Sequence, residues 1–160
     1  VDLGDGRVLA GVAGWYDLSF KPDDLKISDD KYWKQEFGGV RWNDASRMTG
    51  PFDPLAFHRR QADLLAAQLD KIPPDAAALC VLHFVPDGIL LPPVPNDPAR
   101  RFVRAFFGSR EYGETIVRHP AVKAVACGHT HWPIDETRDG IRWINAGGGY
   151  AKKNVVTLEL

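Results

Sequence analysis

Three histidines stand where strand-like runs end. His83 follows Ala77-Ala78-Leu79-Cys80-Val81-Leu82, while His129 and His131 follow Val122-Lys123-Ala124-Val125-Ala126-Cys127 across Gly128. Neutral imidazole is a ligand for Zn, Mn or Fe, and a carbonyl or carboxylate on its other nitrogen fixes the tautomer. Gly-His-X-His is the more specific signal. Two histidines one residue apart in an extended turn face one crevice from different points, and Gly128 supplies the backbone freedom for that turn. That geometry suits two ions roughly 3.5–4 Å apart. His83 taken alone, ahead of Phe84-Val85-Pro86, reads more readily as a structural histidine. Ligands of open α/β sheets gather beyond the carboxyl ends of strands, so the three rings are expected to converge there.

The elements around them read as α/β. Residues 7–13 form a short run of β-branched and small apolar residues bounded by glycines, a buried strand. Residues 14–52, with Trp15, Tyr16, Trp33 and Trp42 among many Asp and Lys, read as an irregular, aromatic-pinned excursion with a short helix near 29–37. Asp53-Pro54 starts a helix whose Leu55, Ala62, Leu65, Ala66 and Leu69 recur at helical spacing. Residues 77–83 and 122–127 lack alternation, as do strands covered on both faces. Between them lie a proline-rich loop over 84–98 (Pro86, Pro92, Pro93, Pro95, Pro98) and helical patterns at 99–107 and 111–118. Asp139-Gly140 between 134–137 and 141–145 is a type I′ hairpin signal, 147–149 a glycine turn, and 154–160 an alternating last strand.

Leu82-His83-Phe84-Val85-Pro86, Gly128-His129-Thr130-His131 and Ile144-Asn145-Ala146-Gly147 resemble the successive C-terminal motifs of the calcineurin-like metallophosphoesterases. Gly11-Val12-Ala13-Gly14-Trp15 is similar to the strand and loop after that family's Gly-Asn-His motif. The resemblance covers the whole chain and only the back half of the family domain. It implies one partial domain over residues 1–160, the C-terminal half of a four-layer α/β/β/α sandwich with mixed sheets. It also implies two divalent metal ions (Mn, Fe or Zn) in the complete domain, His83 and His129 on the second and His131 on the first. The implied activity is hydrolysis of a phosphomonoester or phosphodiester, by in-line attack of a metal-bridging hydroxide. Gly128 and Asn145 are expected to support the ligands, Asn145 by bracing the histidine turn.

The chain contains no Asp-X-His, no Gly-Asp-X-X-Asp and no Asn-His. The leaving-group acid and the carboxylate ligands are therefore expected in an N-terminal half of the same domain, the implied partner besides the phosphate-ester substrate. The 160 residues alone are expected to be inactive, because three imidazoles carry too little negative charge to hold two divalent ions side by side. Val1 as the start, with Met48 the single methionine, fits a segment of something longer. The alternative is a noncatalytic metal-binding or interaction module with a mononuclear His site.

Composition bounds the rest. Twenty basic and 21 acidic residues give a net charge of −1, hence no strong nucleic-acid signature, and no apolar run is long enough for a membrane span. Cys80 and Cys127 sit in apolar runs as buried thiols, compatible with a cytoplasmic location. His58 is expected at a helix surface or boundary, and His119 at a helix end. Arg100, Arg101, Arg104, Arg110 and Arg118 are expected on solvated helix faces, and Trp15, Tyr16 and Asp17 either in the core or lining a cleft.

Overall fold

The computed structural model describes residues 1–94, 96–149, 151 and 153–160. Pro95 of the proline-rich loop lies outside them. Along the chain come β1 (Asp2–Gly4), β2 (Arg7–Val12), α1 (Asp29–Trp33), β3 (Glu36–Phe37), β4 (Val40–Arg41) and α2 (Pro54–Leu69). These are followed by β5 (Ala77–Leu82), α3 (Pro98–Phe102), α4 (Arg110–Val117), β6 (Val122–Cys127), β7 (Ile134–Arg138) and β8 (Ile141–Asn145). Short 3-10 turns occupy Ala45–Arg47, Gly88–Leu90 and Val103–Phe106.

One mixed sheet runs in the order β1-β2-β5-β6-β8-β7. Its four central strands are parallel, with Leu82 beside Val12 and Cys127 beside Asn145, so their carboxyl ends come out on one edge. β1 and β7 close the two sides as antiparallel hairpin arms. The α/β class is as expected. The four-layer sandwich is not found: among the described residues the second sheet is the β3–β4 hairpin alone.

The sheet is held by the face that α2 and α4 cover. Ala10, Cys80, Val125 and Trp143 are register partners across four strands, and all four are buried. α2 begins where the Asp53 carboxylate accepts from the Ala56 N–H (3.0 Å) with Pro54 in the first turn. It buries His58, Ala62, Leu65 and Leu69, one stripe at helical spacing. His58 therefore corrects the surface expectation: it belongs to that stripe and is 3% exposed. On the opposite sheet face Val81, between Gly11 and Ala126, remains 40% exposed.

Two further expectations change. Residues 154–160 form no strand; alternation in the sequence does not by itself make a ladder. The helix expected over 99–107 divides into α3 and a 3-10 turn, which turns Phe102, Ala105 and Phe106 into a second, aromatic core with Trp15, Tyr16, Tyr32 and Phe84. That core anchors the excursion 14–52. Among the described residues no helix is long and apolar enough to cross a membrane.

Candidate functional site

The three histidines meet at the carboxyl edge of the parallel strands. His83 leaves β5, and His129 and His131 leave the adjacent β6 through Gly128. His83 Nε2 and His129 Nδ1 are 3.3 Å apart, and His131 lines the same two clefts as both. The turn is held in an uncommon backbone: φ is +67° at His129 and +57° at His131. Left-handed, non-glycine residues of this kind persist only when their surroundings over-determine them.

Asn145, at the end of β8, supplies much of that determination. Its Nδ2 donates to the Gly128 carbonyl (2.9 Å) and to Thr130 Oγ1 (2.9 Å), and its Oδ1 accepts from the Gly147 N–H (3.0 Å). The side chain is buried, so three hydrogen bonds tie the histidine turn to β8 and to the glycine turn. From the other side, the Gly128 N–H donates to the His83 carbonyl (3.1 Å), linking the two histidine-bearing strand ends directly.

Burial sets the charge state of the rings. His129 packs against Phe84 (ring centroids 4.2 Å), Trp42 (5.7 Å) and Phe107 (6.1 Å). Loss of solvation, and then the neighbouring His83, pull its pKa down to about 4. Burial also lowers His83, against the opposing pull of the Asp44 carboxylate. Both rings are thus held neutral at pH 7, the form in which a ring nitrogen can be a ligand. Burial raises Asp44 in turn.

His129 is also hydrogen-bonded to the Phe106 backbone, and its buried Nε2 lies 3.9 Å from Asp44 Oδ2. On the opposite side of the ring, Nδ1 meets His83 Nε2 in a two-nitrogen cleft beside Asp44. It fits a divalent ion: imidazole nitrogens and a carboxylate are the donors that Zn, Mn and Fe accept. Three imidazoles with one carboxylate suit a single ion, and a second would call for further carboxylates. The site opens on a cavity of about 440 Å³ walled by Trp15, Trp42, Arg47 and Met48, and on a cleft of about 270 Å³ along Gly147–Gly149 and Asn154.

Asp44 escapes sequence reasoning because it follows Trp42-Asn43 in the irregular excursion, where no periodicity marks a direction. The arginines do not join the site. Arg101, Arg104 and Arg110 line another cavity of about 390 Å³ with Phe20 and Asp24. Trp15 and Tyr16 are core residues, Trp15 also showing an edge to the histidine cavity. Cys80 is fully buried beneath α2, and burial raises both thiols well above their ordinary range.

No family model matches the chain, and no curated protein matches it by sequence. Among solved structures, the fold is similar to a phosphopantetheinyl hydrolase from Mycobacterium tuberculosis, at a TM-score of 0.63 and 19% identity over 85% of this chain. The match takes in 47% of that chain, so the 160 residues span about half its length. These findings correct the resemblance to calcineurin-like metallophosphoesterases: no family model supports it, and the similar structure carries another name. The physical reason is that Gly-His-X-His at a strand end is a local turn device, and such a device does not carry a family.

Proposed function

We propose that this chain carries the histidine part of a metal-dependent hydrolase acting on a phosphomonoester or phosphodiester. The observation that carries the reading is the meeting of His83 Nε2 and His129 Nδ1 at 3.3 Å, two neutral ring nitrogens in one cavity with His131 and Asp44. His83, His129 and His131 would hold the ion, Asp44 would add a carboxylate, and Asn145 keeps the turn in shape. A divalent ion there supplies Lewis-acid polarisation of a phosphoryl oxygen and a nucleophile at neutral pH. The aromatic wall of Trp15, Trp42 and Phe84 limits access of bulk water to the buried rings.

The remaining donors and the leaving-group acid belong, on this reading, to chain beyond these 160 residues, as do a second ion and the further layers of a four-layer sandwich that would cover the Val81 face. The isolated chain is then inactive. A noncatalytic single-ion module has one observation in its favour, the four-donor set just described, which suits one ion. One experiment separates the two. The complete reading frame is loaded with Mn2+, Zn2+ or Fe2+ and screened on phosphate mono- and diesters, beginning with a phosphopantetheinyl ester, the group named for the structural neighbour. Hydrolysis lost in His129→Ala supports the hydrolase; tight binding of one ion without hydrolysis of any ester supports the module.

A further inference from the structure

We propose that Asp17, His58 and Glu111 form a second divalent-cation site, separate from the three strand-end histidines and suited to Zn2+. One ligand atom from each lies within 4.8 Å of the other two. His58 Nε2 stands 2.7 Å from Glu111 Oε2 and 3.9 Å from Asp17 Oδ2. Around a zinc ion with bonds of about 2.0–2.2 Å, tetrahedral ligand atoms sit roughly 3.4 Å apart, so a shift of under about 1 Å seats the ion.

Three features beyond proximity point to a cation. The first is charge. Asp17 and Glu111 share one imidazole, and among the described residues neither has a Lys or Arg within ion-pair distance. Arg110, next in sequence to Glu111, donates instead to the Ser19 carbonyl (3.0 Å). The second is the seat of the imidazole. His58 is 3% exposed, and its Nδ1 faces the Tyr112 hydroxyl (3.0 Å) and the Trp15 carbonyl (3.4 Å). Without an ion, Nε2–H donates to Glu111 Oε2 at 2.7 Å; because the Trp15 carbonyl can accept from an Nδ1–H, the ring hydrogen can move to Nδ1 and free the Nε2 lone pair for an ion between the carboxylates. Third, the carboxylate of Asp17 is already oriented: Ser109 Oγ donates to its Oδ2 (2.9 Å) and the Ser19 N–H to its Oδ1 (2.9 Å). Glu111 is half exposed, which gives an ion a path in and leaves a position for water.

The three ligands come from the loop after β2, from α2 and from the first turn of α4. An ion bound to them would pin both helices to the loop that opens into the histidine cavity, a structural rather than a hydrolytic role.

The test is a Zn2+ titration of the intact chain by calorimetry, with Tm as a second readout. In a His129→Ala, His131→Ala background one equivalent is expected to remain, and Glu111→Gln in that background to weaken it at least tenfold. In that background Zn2+ at a hundred times its Kd should raise Tm by roughly 5–10 °C, and Glu111→Gln should cut the shift to about half or less at the same Zn2+ concentration. Should the double-alanine background fail to fold, Glu111→Gln alone must lower the wild-type stoichiometry by one. Where the double-alanine protein folds, X-ray absorption at the zinc edge should show oxygen-rich ligation in it and nitrogen-rich ligation in Glu111→Gln. Stoichiometry and Tm shift unchanged by Glu111→Gln would overturn the proposal, while leaving the strand-end histidine reading untouched.

Discussion

Replacing Asn145 by Ala removes a buried side chain that makes three hydrogen bonds, all to the histidine turn or the glycine turn beside it. Each such bond contributes about 1 kcal/mol net, and the Gly128 carbonyl and Gly147 N–H left behind add a desolvation cost. The expected loss is about 3 kcal/mol, or roughly 6–12 °C in Tm for a domain of this size. Urea denaturation of the metal-free chain measures it. The same variant frees His129 and His131 from the backbone that places them, so ion affinity at the strand-end site should fall by about 10–100-fold. Asn145→Asp separates the contributions, because it keeps an acceptor for the Gly147 N–H while losing the donor to Gly128 and Thr130. At neutral pH its loss should equal or exceed that of Asn145→Ala, because a buried carboxylate oxygen then faces the Gly128 carbonyl, and the loss should ease as the carboxyl is protonated. A loss below about 1 kcal/mol in Asn145→Ala, with ion affinity unchanged, would refute the role given to this side chain.

Two other outcomes can be checked alongside. His129 titrates at about 4 in the folded chain against an ordinary 6.5, so between those values the unfolded state binds more protons. Stability should be complete above pH 6.5 and fall by about 3 kcal/mol as pH drops to 4. Denaturation in EDTA should show this fall, and His129→Gln should flatten it; equal slopes would count against a buried neutral ring. Gly108→Ala would set a Cβ 1.9 Å from the Val85 carbonyl oxygen, where the two residues bridge. A loss of about 3 kcal/mol is expected in thermal unfolding, and a change under about 1 kcal/mol would show that the bridge yields easily.

What the sequence made legible was local. Unbroken apolar runs at 77–82 and 122–127 announced parallel strands, and Asp139-Gly140 announced a hairpin whose φ values are +54° and +77°. The same dipeptide at Asp5-Gly6, with φ of +52° and +71°, joins β1 to β2 without a strand signal ahead of it, because Asp2-Leu3-Gly4 is short and exposed and carries no period. The burial of His58 is hidden for a related reason. Only its spacing to Ala62, Leu65 and Leu69 marks it as part of the buried stripe, and polarity argued the other way. Asp44 illustrates the harder limit: it approaches His129 only because the aromatic core folds the excursion back onto the strand ends.

That aromatic core joins fold to site. Trp42 stacks on Phe106 (5.7 Å), and Phe84 lies against both Trp15 (4.9 Å) and His129 (4.2 Å). Burial of these rings is what stabilises a segment otherwise poor in regular structure. The same burial strips water from His129 and lowers its pKa, and it carries Asp44 to within 3.9 Å of the His129 Nε2. Loosening the excursion would therefore act on the histidines twice, by admitting water that lets the rings protonate and by withdrawing the carboxylate. The 14–52 excursion is in this sense a wall of the site, and its irregularity follows from having to present Trp42 and Asp44 from one short stretch.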